Sequence, residues 1–127
     1  MAKTIWATDL NEFDEIIKAA NQIIDMSQIT IEVWNITPQE AAAMKNEADP
    51  SRNCYGINGE YFIDIKTIVL YYEGVKSAAQ RRFTLAHEIG HAIHRIVEPK
   101  SSEWTNQERE ETADIIGMML EEMADIS

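Results

Sequence analysis

The stretch RRFTLAHEIGHAIHRIVEP, residues 81–99, contains all three histidines of a chain of 127 residues. Ser77 and Gln80 just before it have the spacing of a helix-capping pair, and Pro99 ends a helix that would begin there. Between them, apolar and small residues recur at helical spacing: Phe83, Ala86, Gly90, Ile93 and Val97. The pattern predicts one long helix.

Two of the histidines lie on one face of this helix. Because an α-helix has about 3.6 residues per turn, His87 and His91 are one turn apart and can bind one divalent metal ion together. Glu88 is adjacent to this site but points in a different direction, so it is placed to take a proton from a metal-bound water. This is the logic of the HExxH motif, written here as HEIGH. Packed core histidines without a metal are the alternative, which the strong helix pattern disfavours.

A catalytic metal site of this kind needs a third protein ligand and an open position for water. His94 lies only three residues beyond His91 on the same rigid helix, so it cannot easily reach around the metal. We expect it to pack or to form a hydrogen bond nearby. With no other histidine in the chain, the third ligand must be a carboxylate or Cys54.

The segment EETADIIGMML, residues 110–120, offers such a carboxylate. Glu110 shares a helical face with Asp114 and with the small residues Ala113 and Gly117, which would let this helix approach the first one closely. Asp114 could then accept the second N–H of a ligating imidazole. Glu111 is the main rival of Glu110, and a solvated acidic face is the alternative for the whole group.

The remaining patterns predict a small α+β domain, with helices on one side of a short twisted sheet. We treat residues 1–127 as a single domain, with the order αβαββ(β)αα. Asn58–Gly59 is a strong hairpin signal, with a strand predicted on either side of it. The other predicted elements are a helix over 9–26 capped by Asp9 and Glu12, a strand over 29–35, a short helix begun by Thr37, Pro38 and Glu40, a strand over 67–72, and a last helix begun by Thr105 and Glu108.

Composition limits the class of protein. The chain is 45% hydrophobic and 26% charged, as is ordinary for a soluble globular protein. Its net charge of -11 argues against a nucleic-acid partner, because phosphate binding depends on clustered lysine and arginine. Cys54 cannot form an internal disulfide, and no signal peptide or membrane-spanning run is evident. We expect a cytoplasmic protein that does not bind membranes.

The two motif segments together resemble the ImmA/IrrE family of zincin-like metallopeptidases. RRFTLAHEIGHAIH at 81–94 is followed by EETADIIGMML at 110–120, which is similar to the family's E-x-x-A-N-x-F-A-x-x-L pattern. Asp114 stands for its asparagine, Ile116 for its phenylalanine and Gly117 for its alanine. CYGINGEYFIDIKTIVLY resembles the strand region of the family, so the resemblance covers residues 54–120.

The resemblance implies a role for each site residue. His87, His91 and Glu110 would bind the metal in a gluzincin-like arrangement, with zinc as the expected ion and manganese or another divalent metal as an alternative. Glu88 would be the catalytic base. Members of the family cleave helix-turn-helix repressors in mobile elements or stress responses, so the implied protein substrate is such a repressor. The family usually continues past this helix, so we expect a minimal domain that binds its substrate weakly or needs a partner.

Two further functions remain open at this point. A non-catalytic protein of the same fold could sequester a regulator and keep its metal for structure, and a core-histidine domain without metal is the third possibility. Glu88 favours the peptidase, because a purely structural site needs no general base. The sequence does not choose an oxyanion-stabilising residue among the tyrosines at 55, 61, 71 and 72.

Overall fold

Four strands and four α-helices make up the part of the chain that the computed structural model describes, residues 4–6, 13–34, 36–48, 58–71 and 77–125. The predicted α+β class is confirmed. The strands are β1 (Thr4–Trp6), β2 (Thr30–Trp34), β3 (Gly59–Phe62) and β4 (Thr67–Tyr71). The helices are α1 (Asp14–Ala20), α2 (Pro38–Ala48), α3 (Ala78–Val97) and α4 (Asn106–Asp125).

The strands form one mixed sheet in the order β1-β2-β4-β3. Strand β4 runs parallel to β2 and antiparallel to β3, and β1 pairs antiparallel with β2. All five residues of β4 are buried, as expected for a central strand of mostly apolar residues. The strands predicted over 29–35 and 67–72 are confirmed, whereas β1 was not predicted. In this sheet β3 is an edge strand.

The predicted hairpin turn at Asn58–Gly59 is wrong. Gly59 begins β3 and pairs with Leu70, and the Tyr71 N–H donates to the Asn58 carbonyl oxygen at 2.9 Å. Both residues therefore belong to the antiparallel ladder. The turn that joins β3 to β4 is the short 3-10 helix Ile63–Ile65, and the strand predicted before Asn58 lies outside the described residues.

The backbone φ of Gly59 is not positive, so the backbone conformation does not require a glycine here. Close neighbouring atoms require it instead. A Cβ atom built there would lie 3.0 Å from Cδ2 of Leu70 and 3.0 Å from Cγ2 of Thr84. Since Thr84 belongs to α3, the glycine lets β3 pack directly against the helix that carries the histidines. The positive φ in this turn is found instead at Lys66, with a value of 49°.

Three of the predicted helix starts are confirmed by their capping hydrogen bonds. In each of them a side-chain hydroxyl oxygen accepts the backbone N–H three residues later at 3.1 Å. The pairs are Thr37 with Glu40, Ser77 with Gln80, and Thr105 with Glu108. Helix α3 ends at Val97, two residues before the proline that was expected to stop it.

The first helix is shorter than predicted. It ends at Ala20, and the Asn21 side-chain oxygen accepts the Met26 N–H at 3.1 Å in the turns that follow. The predicted cap at Asp9 and Glu12 lies outside the described residues. None of the helices in the described ranges combines the length and the apolar character that crossing a membrane requires.

Helix α3 packs against α4 through two glycines. A Cβ atom at Gly90 would lie 2.5 Å from the carbonyl oxygen of Ala113, and one at Gly117 would lie 3.1 Å from the backbone nitrogen of His87. Main-chain atoms of the two helices are therefore nearly in contact at both points. This contact fixes the distance between the HEIGH face of α3 and the acidic face of α4.

We predict that Gly90→Ala destabilises the protein by about 1–3 kcal/mol, as is typical of overpacking a tight core. Alanine gains about 1 kcal/mol in helix propensity, but its methyl group forces the main chain of α4 away. Chemical denaturation measures the change in the free energy of unfolding. Gly117→Ala is the matched control, and its cost should be smaller because the nearest atom is 3.1 Å away. A Gly90→Ala protein as stable as the parent would contradict this helix contact.

Candidate metal centre

The structure brings together the three side chains predicted as metal ligands. Glu110 of α4 lies between the two imidazoles of α3, with Oε2 at 2.8 Å from Nε2 of His87 and Oε1 at 3.2 Å from Nε2 of His91. The two rings are nearly perpendicular, with centroids 4.8 Å apart. One ligand atom from each of the three residues lies within 4.8 Å of the other two.

This donor set fits a divalent metal ion. Two imidazole nitrogens and one carboxylate oxygen are a common protein ligand set of catalytic zinc, at bond lengths of about 2.0–2.2 Å. In a tetrahedral site such bonds place the ligand atoms roughly 3.3–3.6 Å apart. The three ligand atoms lie within 4.8 Å of one another, so side-chain rotations would bring them to that spacing. His87, His91 and Glu110 could therefore hold a metal.

Asp114 lies on the opposite side of the His87 ring. Its Oδ1 atom is 2.7 Å from Nδ1 of His87, which leaves Nε2 of the same ring directed at Glu110. A carboxylate in this position fixes the ring orientation and the tautomer of a ligating histidine. Glu111, the rival of Glu110, is exposed on α4 and accepts a hydrogen bond from the Gln107 amide at 3.0 Å.

Glu88 is buried beside these three side chains, with 7% of its surface exposed. Burial raises the pKa of Glu88 to about 7, with smaller contributions from the charges of Glu110 and Glu60, while His87 opposes the shift. A carboxyl group with a pKa near neutrality can both accept and return a proton, as a general base and acid must. Burial also lowers the pKa of His91, which favours the neutral imidazole that a metal ligand requires.

Two clefts meet at the centre. One, of about 250 Å³, lies between β3 and the C-terminal half of α3, and the other, of about 300 Å³, lies near the N-terminal half of α3. Gly59, Glu88 and Glu110 line both of them. A groove therefore crosses the centre along the edge strand β3.

His94 is outside the group of three side chains that could hold a metal, as the helix geometry predicted. Its ring is buried and packs edge-on against Trp104, with centroids 4.7 Å apart. Of the four tyrosines, Tyr61 lines the cleft of about 250 Å³, whereas Tyr71 is buried beneath the ammonium group of Lys45. Tyr55, Tyr72 and Cys54 lie outside the described residues.

Sequence reasoning missed the residues that form the walls of the cleft. Arg95 is four residues beyond His91, and this spacing alone could have placed it on the same helical face. Glu60 and Tyr61 of β3 also line this cleft. No local pattern predicts that β3 packs against α3, so these two residues carried no comparable signal.

The model of a peptidase family, the IrrE N-terminal-like domain, matches residues 51–121. The match covers more than half of the chain and includes α3 and every residue of the candidate centre. Neither the curated proteins nor the solved structures gave a match. The likeness that the two motif segments indicated is thereby confirmed, and the chain belongs to the ImmA/IrrE family of metallopeptidases.

Proposed function

We propose that this protein is a zinc-dependent endopeptidase in which His87, His91 and Glu110 bind the metal. The observation that supports the proposal best is the position of Glu88, a buried carboxyl group beside the three-donor set and in the wall of the groove. Family membership supports a metallopeptidase with a protein substrate. A structural metal site would have no use for a buried proton acceptor at this place.

A zinc ion at this site would act as a Lewis acid that makes water more acidic and a peptide carbonyl more electrophilic. The residues of the chain perform the remaining tasks. Glu88 accepts the proton of the attacking water and then donates it to the leaving amine, so the same oxygen atoms serve both steps. Asp114 holds the His87 ring in its orientation through the 2.7 Å contact with Nδ1.

We propose a helix-turn-helix repressor as the substrate, and therefore a role in relieving transcriptional repression. The support is the family resemblance together with the net charge of -11. An acidic surface attracts a basic partner, and a DNA-binding repressor carries a basic surface. The groove along β3 would hold an extended segment of that protein across Glu88.

We predict one equivalent of divalent metal per chain, lost when either helix ligand is removed. His87→Ala and His91→Ala each delete one of three ligands, so the purified variants should contain little metal by elemental analysis. His94→Ala is the matched control, because it removes a histidine of the same helix that is outside the ligand set. Circular dichroism verifies that all three variants fold. A full equivalent of metal in His87→Ala would place the site elsewhere.

Activity is tested on a purified cognate repressor. The unmodified protein should cut it at a defined position, and a chelator should stop the reaction until zinc is added back. Repressors from systems in which no peptidase relieves repression serve as controls, and they should stay intact. Cleavage that continues in the presence of the chelator would contradict the metal-dependent mechanism.

A further inference from the structure

The cleft between β3 and the C-terminal half of α3 adjoins the metal centre and extends beyond it to the last turns of α3. It borders the centre through Glu88, His91 and Glu110, and its volume is about 250 Å³. An engineered protein cavity of about 150 Å³ binds benzene, so this cleft has room for one amino-acid side chain. Its position in the groove is that of a subsite for a residue near the scissile bond.

Most of the charges around this cleft already have partners. Glu60 forms an ion pair with Nζ of Lys45 at 2.6 Å, and Glu110 contacts both imidazoles. The Arg109 guanidinium donates to three backbone carbonyls of the turn between α3 and α4. Those carbonyls belong to Ser101, Ser102 and Trp104. Glu60 and Arg109 therefore stabilise the fold, and Glu110 belongs to the candidate metal centre.

Arg95 differs from them. It is half-buried in the wall of the cleft, and no other residue in the described part of the chain forms an ion pair or a hydrogen bond with its guanidinium group. Its charge is close enough to Tyr61 to lower the pKa of that phenol, against the larger rise that burial causes. A half-buried guanidinium without a counter-ion provides a preformed site for an anion.

His94 contributes a second unsatisfied group to the same wall. The residue is buried and lines the cleft, and its Nε2 atom is without a hydrogen-bond partner among the described residues. Buried polar atoms are nearly always paired in folded proteins, and an exception indicates a missing ligand or water. Arg95 and His94 are adjacent in sequence, so both groups, which have no polar partner among the described residues, belong to the last turns of α3.

We propose that this cleft binds a carboxylate group of the substrate through Arg95, beside the buried ring of His94. The proposal rests on the peptidase function argued above and adds a substrate preference to it. The planar guanidinium matches a carboxylate with two parallel hydrogen bonds, whereas an amide of the same shape offers only one acceptor. The carboxylate is either an aspartate or glutamate side chain or the C-terminus of the substrate chain.

A positional peptide library distinguishes these sources. The zinc-loaded Glu88→Gln protein is used to capture peptides, because it should bind them without cleaving them. Two libraries are compared, one with amidated and one with free C-termini, and the bound sequences are counted in each. Acidic residues should be enriched at one position about tenfold over their amide counterparts, the preference that one charge-assisted contact gives. Enrichment among amidated peptides identifies a side chain, whereas enrichment restricted to free C-termini identifies the terminal carboxylate.

Substitutions at Arg95 assign the preference to this cleft. When Arg95→Gln is added to the Glu88→Gln protein, acidic residues should no longer be enriched over their amide counterparts. Arg95→Lys should keep part of the enrichment because the charge remains. Arg82→Gln is the control, since it removes the same charge from the same helix outside the cleft. No acidic enrichment, or enrichment that survives Arg95→Gln, would overturn the proposal.

The same library, incubated with the unmodified enzyme, separates this proposal from the peptidase function. Cleavage that shows no acidic preference would reject the subsite and leave the peptidase intact. Acidic capture that depends on Arg95 without any cleavage would reject the peptidase and leave the subsite.

Discussion

Glu88→Gln should reduce repressor cleavage by about 10²–10⁴-fold, the usual contribution of a general acid–base group, while the protein keeps its fold and its metal. Glutamine preserves the size and the hydrogen-bonding capacity of the side chain but cannot accept the proton of the attacking water. Because Glu88 is adjacent to His87 without belonging to the donor set, its replacement should leave metal affinity nearly unchanged. Initial cleavage rates and elemental analysis of the same preparation measure both effects.

Glu98→Gln is the matched control, because Glu98 is an exposed glutamate at the end of the same helix. It should cleave at the parental rate. Equal cleavage by the Glu88→Gln protein would refute the mechanism. If neither the variant nor the unmodified protein cleaves, and both bind the repressor tightly, the protein sequesters its partner instead of hydrolysing it.

Glu110→Ala should weaken zinc binding by more than about 100-fold, whereas Glu111→Ala should change it by less than about threefold. Removing only the hydrogen-bond partner of a ligand typically costs about 10–100-fold in metal affinity, so removing a ligand should cost more. The two residues are neighbours of identical chemistry. They differ in that Glu110 contacts both imidazoles, whereas Glu111 is exposed and bonded to Gln107.

Competition titration with a chromophoric chelator measures the zinc affinity of both variants. Glu111→Ala controls for the loss of one negative charge from α4, which weakens cation binding over a distance. The reverse order of affinities would show that α4 is rotated by one residue relative to the structure. Equal, small losses would mean that the third ligand is a different group.

The sequence predicted those parts of the site that depend on the spacing of residues within a single helix. The spacing of His87 and His91 fixes their common face, because a helix leaves no freedom in that relation. The same reasoning on α4 placed Glu110 and Asp114 on one face, and the structure directs both towards His87. Their roles as ligand and as supporting carboxylate stay predictions, since the geometry allows them without testing them.

The predictions were wrong where the role of a residue depends on a contact with a residue far away in the sequence. Gly59 was interpreted as part of a turn because glycine after asparagine favours positive φ, but here it makes room for Thr84 of α3. Strand β1 has only three residues and pairs with β2, which gives it no periodicity of its own. The contact between Arg95 and the cleft likewise depends on where β3 packs. Such relations are set by tertiary packing, which a single sequence does not display.

The main-chain contact between α3 and α4 has a bearing on which substitutions the interior of the protein tolerates. The separation of the two helices is set by peptide atoms at Gly90 and Gly117, so it does not vary with the size of the surrounding apolar side chains. Leu120 and Ile89 are fully buried nearby, and exchanging either for a hydrophobic residue of similar volume should cost less than about 1.5 kcal/mol in stability. Such exchanges should leave the face of α3 that carries His87 and His91 at the same distance from the face of α4 that carries Glu110, because Gly90 and Gly117 set that distance.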